Sequence, residues 1–275
     1  VELESLLALA VWSAEQEGCT VPEIVAHTKP LLHIEAGEHP LLPRGVAVAN
    51  DLHLGEGTRV ELVTGSNMAG KSTFLRMVML NALLAQVGAP VRAGSLRMTP
   101  LQLQANINVR DSLADGKSYF LVEVERVKDI LDVAARSPFV LTVFDELFRG
   151  TNSNERLAAS REIARSLAAQ GGLCLLATHD LELTRLVREE AVEGIAALHF
   201  RDEIEAGRMV FPYVAHRGVS GVHNALRLLE LSGYPSELVS RAREFARTSM
   251  PDSTTSPEAS SGQEEPPRAP DPEGS

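Results

Sequence analysis

Three groups of residues in this chain have the types and spacing that phosphate chemistry requires. Gly65-Ser66-Asn67-Met68-Ala69-Gly70-Lys71-Ser72 fits G-x-x-x-x-G-K-[ST], a loop whose backbone N–H groups wrap a nucleotide's phosphates. Lys71 would neutralise charge on the β- and γ-phosphates, and Ser72 would offer its hydroxyl to Mg²⁺. Asp145 and Glu146 form the second group. Four of the five residues before Asp145 are apolar, which places the pair at the end of a buried strand. There an aspartate reaches the metal, and an adjacent glutamate suits a base or orienter for an attacking water. His179 is the third, in ATHD at the end of another apolar run, positioned to touch the γ-phosphate or the water from the side.

These residues need elements to carry them. RVELVTG, residues 59 to 65, reads as an apolar strand delivering the glycine loop, and Lys71 opens a helix to about Val87. LQLQANINV is a strand candidate, Ser118 to Ala135 a helix, and PFVLTVFDE a buried strand. A helix from about Asn154 to Gln170 then leads to the strand in GLCLLATHD. Strands alternating with helices imply an α/β fold, a P-loop NTPase whose mainly parallel sheet has helices on both faces. Ahead of it lie an amphipathic helix over roughly residues 2 to 17 and short strands in LLHIEAGEHPLL and VAVANDLHL. Behind it, residues 195 to 213 read as a hairpin across Glu205 to Gly207, and residues 222 to 247 as two helices broken at Gly233-Tyr234-Pro235.

Composition bounds the function. The chain has 275 residues, 44% hydrophobic, enough for one sizeable α/β domain with appendages. Cys19 and Cys174 are too few for a disulfide framework, which points to a reducing compartment. No apolar run reaches 18 residues, so a membrane partner is not expected for this chain. A net charge of −11 argues against non-specific nucleic-acid binding, which needs clustered Lys and Arg. Part of that acidity is local: from Ser249 on, six acids face one arginine in a Pro-, Ser- and Gly-rich tail with little to bury, expected to be disordered. The chain opens at Val1 inside a helical pattern, from which a fragment lacking its N-terminal part is expected.

The same residues carry a family resemblance. TGSNMAGKSTFLR resembles the phosphate loop of the MutS mismatch-repair ATPases, usually T-G-P-N-M-G-G-K-S-T. FDELFRGTN is similar to the family's D-E-[IL]-G-R-G-T, LLATHDLELTRL to A-T-H-x-x-E-L, DGKSYFLVEVERVKDIL to S-G-x-S-T-F-x-x-E-M, and GEHPLL to its R-H-P element. Ser66 and Ala69 replace the usual Pro and Gly, Tyr119 a Thr, and Phe148 a Gly, which marks a divergent MutS-related branch.

The resemblance implies an ABC-type ATPase acting as a homodimer. ATP with Mg²⁺ would lie between the phosphate loop of one subunit and the signature segment of the other. Gly65 through Ser72 and Thr73 would bind ATP, Ser72 and Asp145 would hold the metal, and Lys71, Glu146 and His179 would be catalytic. Ser118 matches the signature serine and would reach a γ-phosphate in trans; a helix N-cap is an equally compatible role for it. Arg149 and Thr151 match the segment that couples the two sites, with surface charge and turn capping as plain alternatives. His39 and Tyr213 are candidates for contact with adenine. The organisation implied is the end of an upstream helical lever (1–30), the ATPase domain (31–220), a dimerising helix pair (221–248) and the acidic tail (249–275). DNA would be bound by segments upstream of this chain, in a cytoplasmic, nucleoid-associated protein with repair or recombination proteins as further partners. The alternatives are a MutS-related ATPase of recombination or another non-mismatch role, and a nucleotide-dependent scaffold with little turnover.

Overall fold

The computed structural model describes residues 2–15, 18–43, 45–66, 68–107, 119–205, 208–219 and 225–249. Asn67, Ser118 and the acidic tail, all singled out in the sequence, lie outside them. The chain divides into two units, Val1–His223 and Asn224–Ser275.

The first unit opens with helix α1 (Glu2–Glu15), then β1 (Glu23–Ile24), β2 (Leu32–Gly37), β3 (Asn50–Leu54) and β4 (Val60–Thr64). Helix α2 (Lys71–Gln86) follows β4 directly across the glycine loop. Next come β5 (Ser95–Met98), β6 (Gln102–Asn106), α3 (Tyr119–Arg136), β7 (Val140–Asp145), α4 (Ser153–Gln170) and β8 (Leu173–Ala177). A short 3₁₀ turn (Leu181–Thr184) and α5 (Arg185–Arg188) precede β9 (Ile195–Phe200), the hairpin β10 (Glu203–Glu205) and β11 (Arg208–Val210), and β12 (Ala215–Arg217).

Six strands form the main sheet in the order β12-β9-β4-β8-β7-β6. All neighbours from β9 to β6 are parallel, and β12 is antiparallel to β9 at the edge. Every residue of β4, β7 and β8 is buried. That accounts for their near-continuous apolar sequences, since a parallel strand covered on both faces has no polar side to alternate. On one face Val63, Leu141, Val143 and Leu175 pack with α2 and with a second sheet; on the other Val60, Leu62, Phe144 and Leu176 pack with residues of α3 and α4. The second sheet, ordered β1-β5-β2-β3, has β2 antiparallel to both β5 and β3. The sequence reading had neither β5 nor this separate layer. It also read residues 195 to 213 as one hairpin, whereas Ile195–Phe200 is a strand of the main sheet beside β4 and only β10 and β11 form the hairpin.

Local signals set the helix ends. Asn152 caps α4 by accepting the Asn154 N–H at 2.9 Å, and Gly171 closes it in the left-handed region at φ 85°. The second unit holds α6 (Ala225–Leu231) and α7 (Ser236–Ser249), separated at Gly233, where φ is 80°. Arg243 of α7 pairs with Glu230 of α6 at 2.7 Å, and that pair with Arg227 holds the Glu230 carboxyl below its usual range.

Candidate functional site

The strand order brings the three groups of chemically suited residues together. β8 lies between β4 and β7, so the carboxyl ends of all three strands are neighbours, and His179 follows the middle one. Backbone bonds pin their register: Thr178 N–H donates to Val63 O and Glu146 N–H to Ala177 O, both at 3.0 Å. A crevice outside the carboxyl ends of parallel strands is where open α/β sheets bind ligands.

The glycine loop turns between β4 and α2 with Gly65 at φ 139° and Gly70 at φ 104°. At Gly70 a Cβ would lie 3.0 Å from the Tyr213 ring, so both backbone conformation and close approach require glycine there. Gly70 provides no side-chain cap for α2, and the first intrahelical bond runs from Phe74 N–H to Gly70 O at 2.9 Å. The N–H groups of Lys71, Ser72 and Thr73 thus lack intrahelical acceptors and, with the positive end of the helix, favour an anion. Ala69 is buried and Met68 exposed. Ser66 Oγ donates to Asp202 Oδ1 at 2.7 Å, tying the loop to the segment after β9.

Lys71 is 4% exposed, and its ammonium donates to Gly65 O at 2.7 Å and Ser66 O at 2.8 Å. Burial pushes its pKa below the usual lysine range, while Glu146 and Asp145 pull it back up. Ser72 Oγ donates to Asp145 Oδ2 at 2.6 Å. A hydroxyl and a carboxylate oxygen this close are a fitting pair for Mg²⁺, which takes few protein oxygens and completes its shell with waters and substrate phosphates.

Glu146 sits at φ 59°, a left-handed conformation costly for a residue with a side chain and concentrated at functional sites. Its two carboxylate oxygens are separately held, Oε1 by His179 Nδ1 at 3.2 Å and Oε2 by Arg149 Nε at 3.0 Å. Arg149 also lies 3.7 Å from Asp145. Thr151 donates to Glu155 at 2.9 Å, away from the two acids. Behind His179, Asp180 takes a two-pronged ion pair from Arg156 of α4, at 2.9 and 3.1 Å.

Beside the loop opens a cavity of about 340 Å³, walled by His39, Val48, Phe74, Met77, Phe200 and Tyr213 and running into Lys71, Ser72 and Thr73. His39 and Tyr213 therefore share one mostly apolar, aromatic-lined recess next to the loop, the kind of wall that takes a planar base. Burial, then the Arg76 charge, lowers the His39 imidazole pKa. Tyr213 is in the left-handed region at φ 57° and stacks with Phe211 at 6.2 Å. Asn50 fixes that turn, donating to Tyr213 O at 3.0 Å and accepting from Ala215 N–H at 2.6 Å. Sequence reasoning missed Asn50, Asp202 and Arg156. Each acts through a partner remote in the chain, and no local pattern marks them.

The residues match known proteins as the geometry suggests. A family model described as MutS domain V matches residues 61–249. The DNA mismatch repair protein MutS of an Exiguobacterium species is 35% identical over 249 residues, covering 88% of this chain and 28% of that protein. The DNA mismatch repair protein MutS of two Thermus thermophilus strains is 39% identical over 214 residues, covering 77% of this chain and 25% of the relative. The chain spans about a quarter of the length of these curated relatives. With the family match running from within β4 through α7, this chain belongs to the MutS domain V family.

Proposed function

We propose that this chain is the ATP-binding and ATP-hydrolysing domain, of the ABC type, of a MutS-like DNA-repair protein. It works as a homodimer and couples nucleotide state to DNA gripped elsewhere in the assembled protein. The observation that supports this most is the 2.6 Å Ser72–Asp145 contact beside a buried Lys71, with Glu146 next to Asp145 and His179 at the end of the adjacent strand.

In this reading the triphosphate lies along the loop, and the Lys71 ammonium moves part of its bonding from the Gly65 and Ser66 carbonyls to phosphate oxygens. Adenine occupies the recess between His39 and Tyr213. Ser72 and Asp145 would hold Mg²⁺, which supplies charge neutralisation at the phosphates. Glu146 orients a water and accepts its proton as the water oxygen attacks the γ-phosphorus, the bond to the β–γ bridging oxygen breaks, and ADP and phosphate leave. His179 and Arg149, gripping one carboxylate oxygen each, fix the direction in which Glu146 accepts. Ser118 of a second copy completes the γ-phosphate contacts, so a lone subunit turns over slowly; such groups supplied in trans raise rates by about 10³–10⁵ in other P-loop systems.

Steady-state hydrolysis by native protein and by Glu146→Gln tests this. The amide cannot take the proton, so kcat should drop by about 10²–10⁴ while ATP still binds. Equal rates would remove Glu146 from the chemistry and leave a nucleotide-dependent scaffold as the better reading.

A further inference from the structure

Helix α3 turns an apolar stripe of Val127, Ile130 and Ala134 into the core, and one turn earlier the same stripe is occupied by Glu123, which is 1% exposed. A carboxylate at a core position needs partners to offset its lost hydration. Glu123 Oε1 accepts the Phe148 N–H at 2.7 Å. Phe148 is the second non-glycine residue after Asp145 held in the left-handed region, at φ 58°, with Glu146 at φ 59° the first. The Phe148 ring meets Phe120, one turn before Glu123 on α3, edge to face at 6.2 Å. Two left-handed residues within three persist only where the surroundings over-determine them. Here the tethers are Ala177 O on the Glu146 N–H, Thr151 N–H on Phe148 O at 3.3 Å, and Glu123 on the Phe148 N–H. Of the three, only Glu123 reaches across from another helix by its side chain.

We infer that Glu123 is a positioning residue for hydrolysis: its side chain locks the 146–148 turn to helix α3 and so aims the Glu146 carboxylate. The inference rests on the ATPase reading above and adds to it a residue that touches no substrate. The neighbouring chemistry shows which replacement should preserve the lock. Glu123 Oε2 is buried, with the Asn106 side chain of β6 beside the carboxyl. Burial raises the Glu123 pKa, opposed by the Phe148 N–H, the Arg149 charge and the Asn106 side chain. A glutamine has the length and shape of the glutamate and keeps an oxygen to accept the Phe148 N–H.

The test compares intact native protein with Glu123→Ala and Glu123→Gln by ATP affinity, kcat, and hydrogen exchange of the segment 145–150. Glu123→Ala should bind ATP within a fewfold of native, exchange this segment faster, and lose about a hundredfold in kcat, the scale of a 1 Å misplacement. Glu123→Gln should be near native in all three. Should the alanine variant not fold, Glu123→Asp, which keeps the carboxyl group but withdraws the oxygen by one methylene, carries the same expectation as alanine. Native turnover in Glu123→Ala, or a loss of ATP affinity in proportion to kcat, would overturn the positioning role alone. Native protein that binds no ATP would overturn the ATPase reading, and this inference with it.

Discussion

Ser72 and Asp145 are 73 residues apart in sequence and 2.6 Å apart in space, and a single hydroxyl–carboxylate contact joins the loop to the acid strand. If that pair holds Mg²⁺, Ser72→Ala removes one oxygen ligand and the partner that orients Asp145. The Mg²⁺ concentration for half-maximal turnover should then rise about 10- to 100-fold, the range seen when a metal ligand loses its support. A titration of turnover against Mg²⁺ checks this, and an unchanged midpoint would place the metal elsewhere. At this scale Lys71, Ser72, Asp145 and Glu146 were legible in the sequence because phosphate chemistry demands those residue types at fixed spacing after a buried strand. Asn50 was not legible. It acts on Tyr213 and Ala215, more than 160 positions away, and any polar side chain at the start of a strand would look the same.

Among the elements, the strands of the main sheet were the easiest to read. Burial on both faces leaves runs such as Val140–Phe144 apolar throughout, save Thr142, and α2 and α4 have clear ends at Gly70 and Gly171. Their order was not legible, since nothing local tells β8 to insert between β7 and β4. The second sheet stayed hidden because its strands are short and pair across long stretches of chain, as β2 does with β5. One buried group on β4 has a measurable consequence. Glu61 is 4% exposed with Oε1 unpartnered, and burial pushes its pKa from 4.5 up to about 7 against the opposing pull of Arg217. Between those values the folded chain binds more protons than the unfolded one, so stability falls as pH rises from about 4.5 to about 7 and stays low above. The full effect is on the order of 3–4 kcal/mol. Glu61→Gln should therefore raise the melting temperature at pH 8 and leave it nearly unchanged at pH 4.5. Equal shifts at both pH values would show that the charge of Glu61 is not what costs stability.

For the whole molecule, the central proposition is a nucleotide bound at one sheet edge and completed by a second copy. No described helix is long and apolar enough to cross a membrane. Helix α1 presents Leu3, Leu6, Leu7 and Val11 to solvent, and α7 presents Leu238 and Phe245. Such surfaces suit contacts within a larger assembly, with α7 proposed to clasp the dimer. Specific hydrolytic activity should then rise with protein concentration and level off as pairs form, in step with a dimer seen by sedimentation. Activity strictly proportional to protein at every dilution, with monomer only, would reject the trans contribution of Ser118. The motifs name Lys71, Ser72, Asp145, Glu146 and His179, which the strand order gathers at the carboxyl ends of neighbouring strands, whereas the proposed pairing of copies would rest on surfaces and not on spacing. The most direct test of the central proposition is equilibrium binding of ATP with Mg²⁺ to native protein and to Lys71→Ala. Saturable binding by native protein and its loss in the variant is the expected result; tight binding retained without the Lys71 ammonium would contradict it.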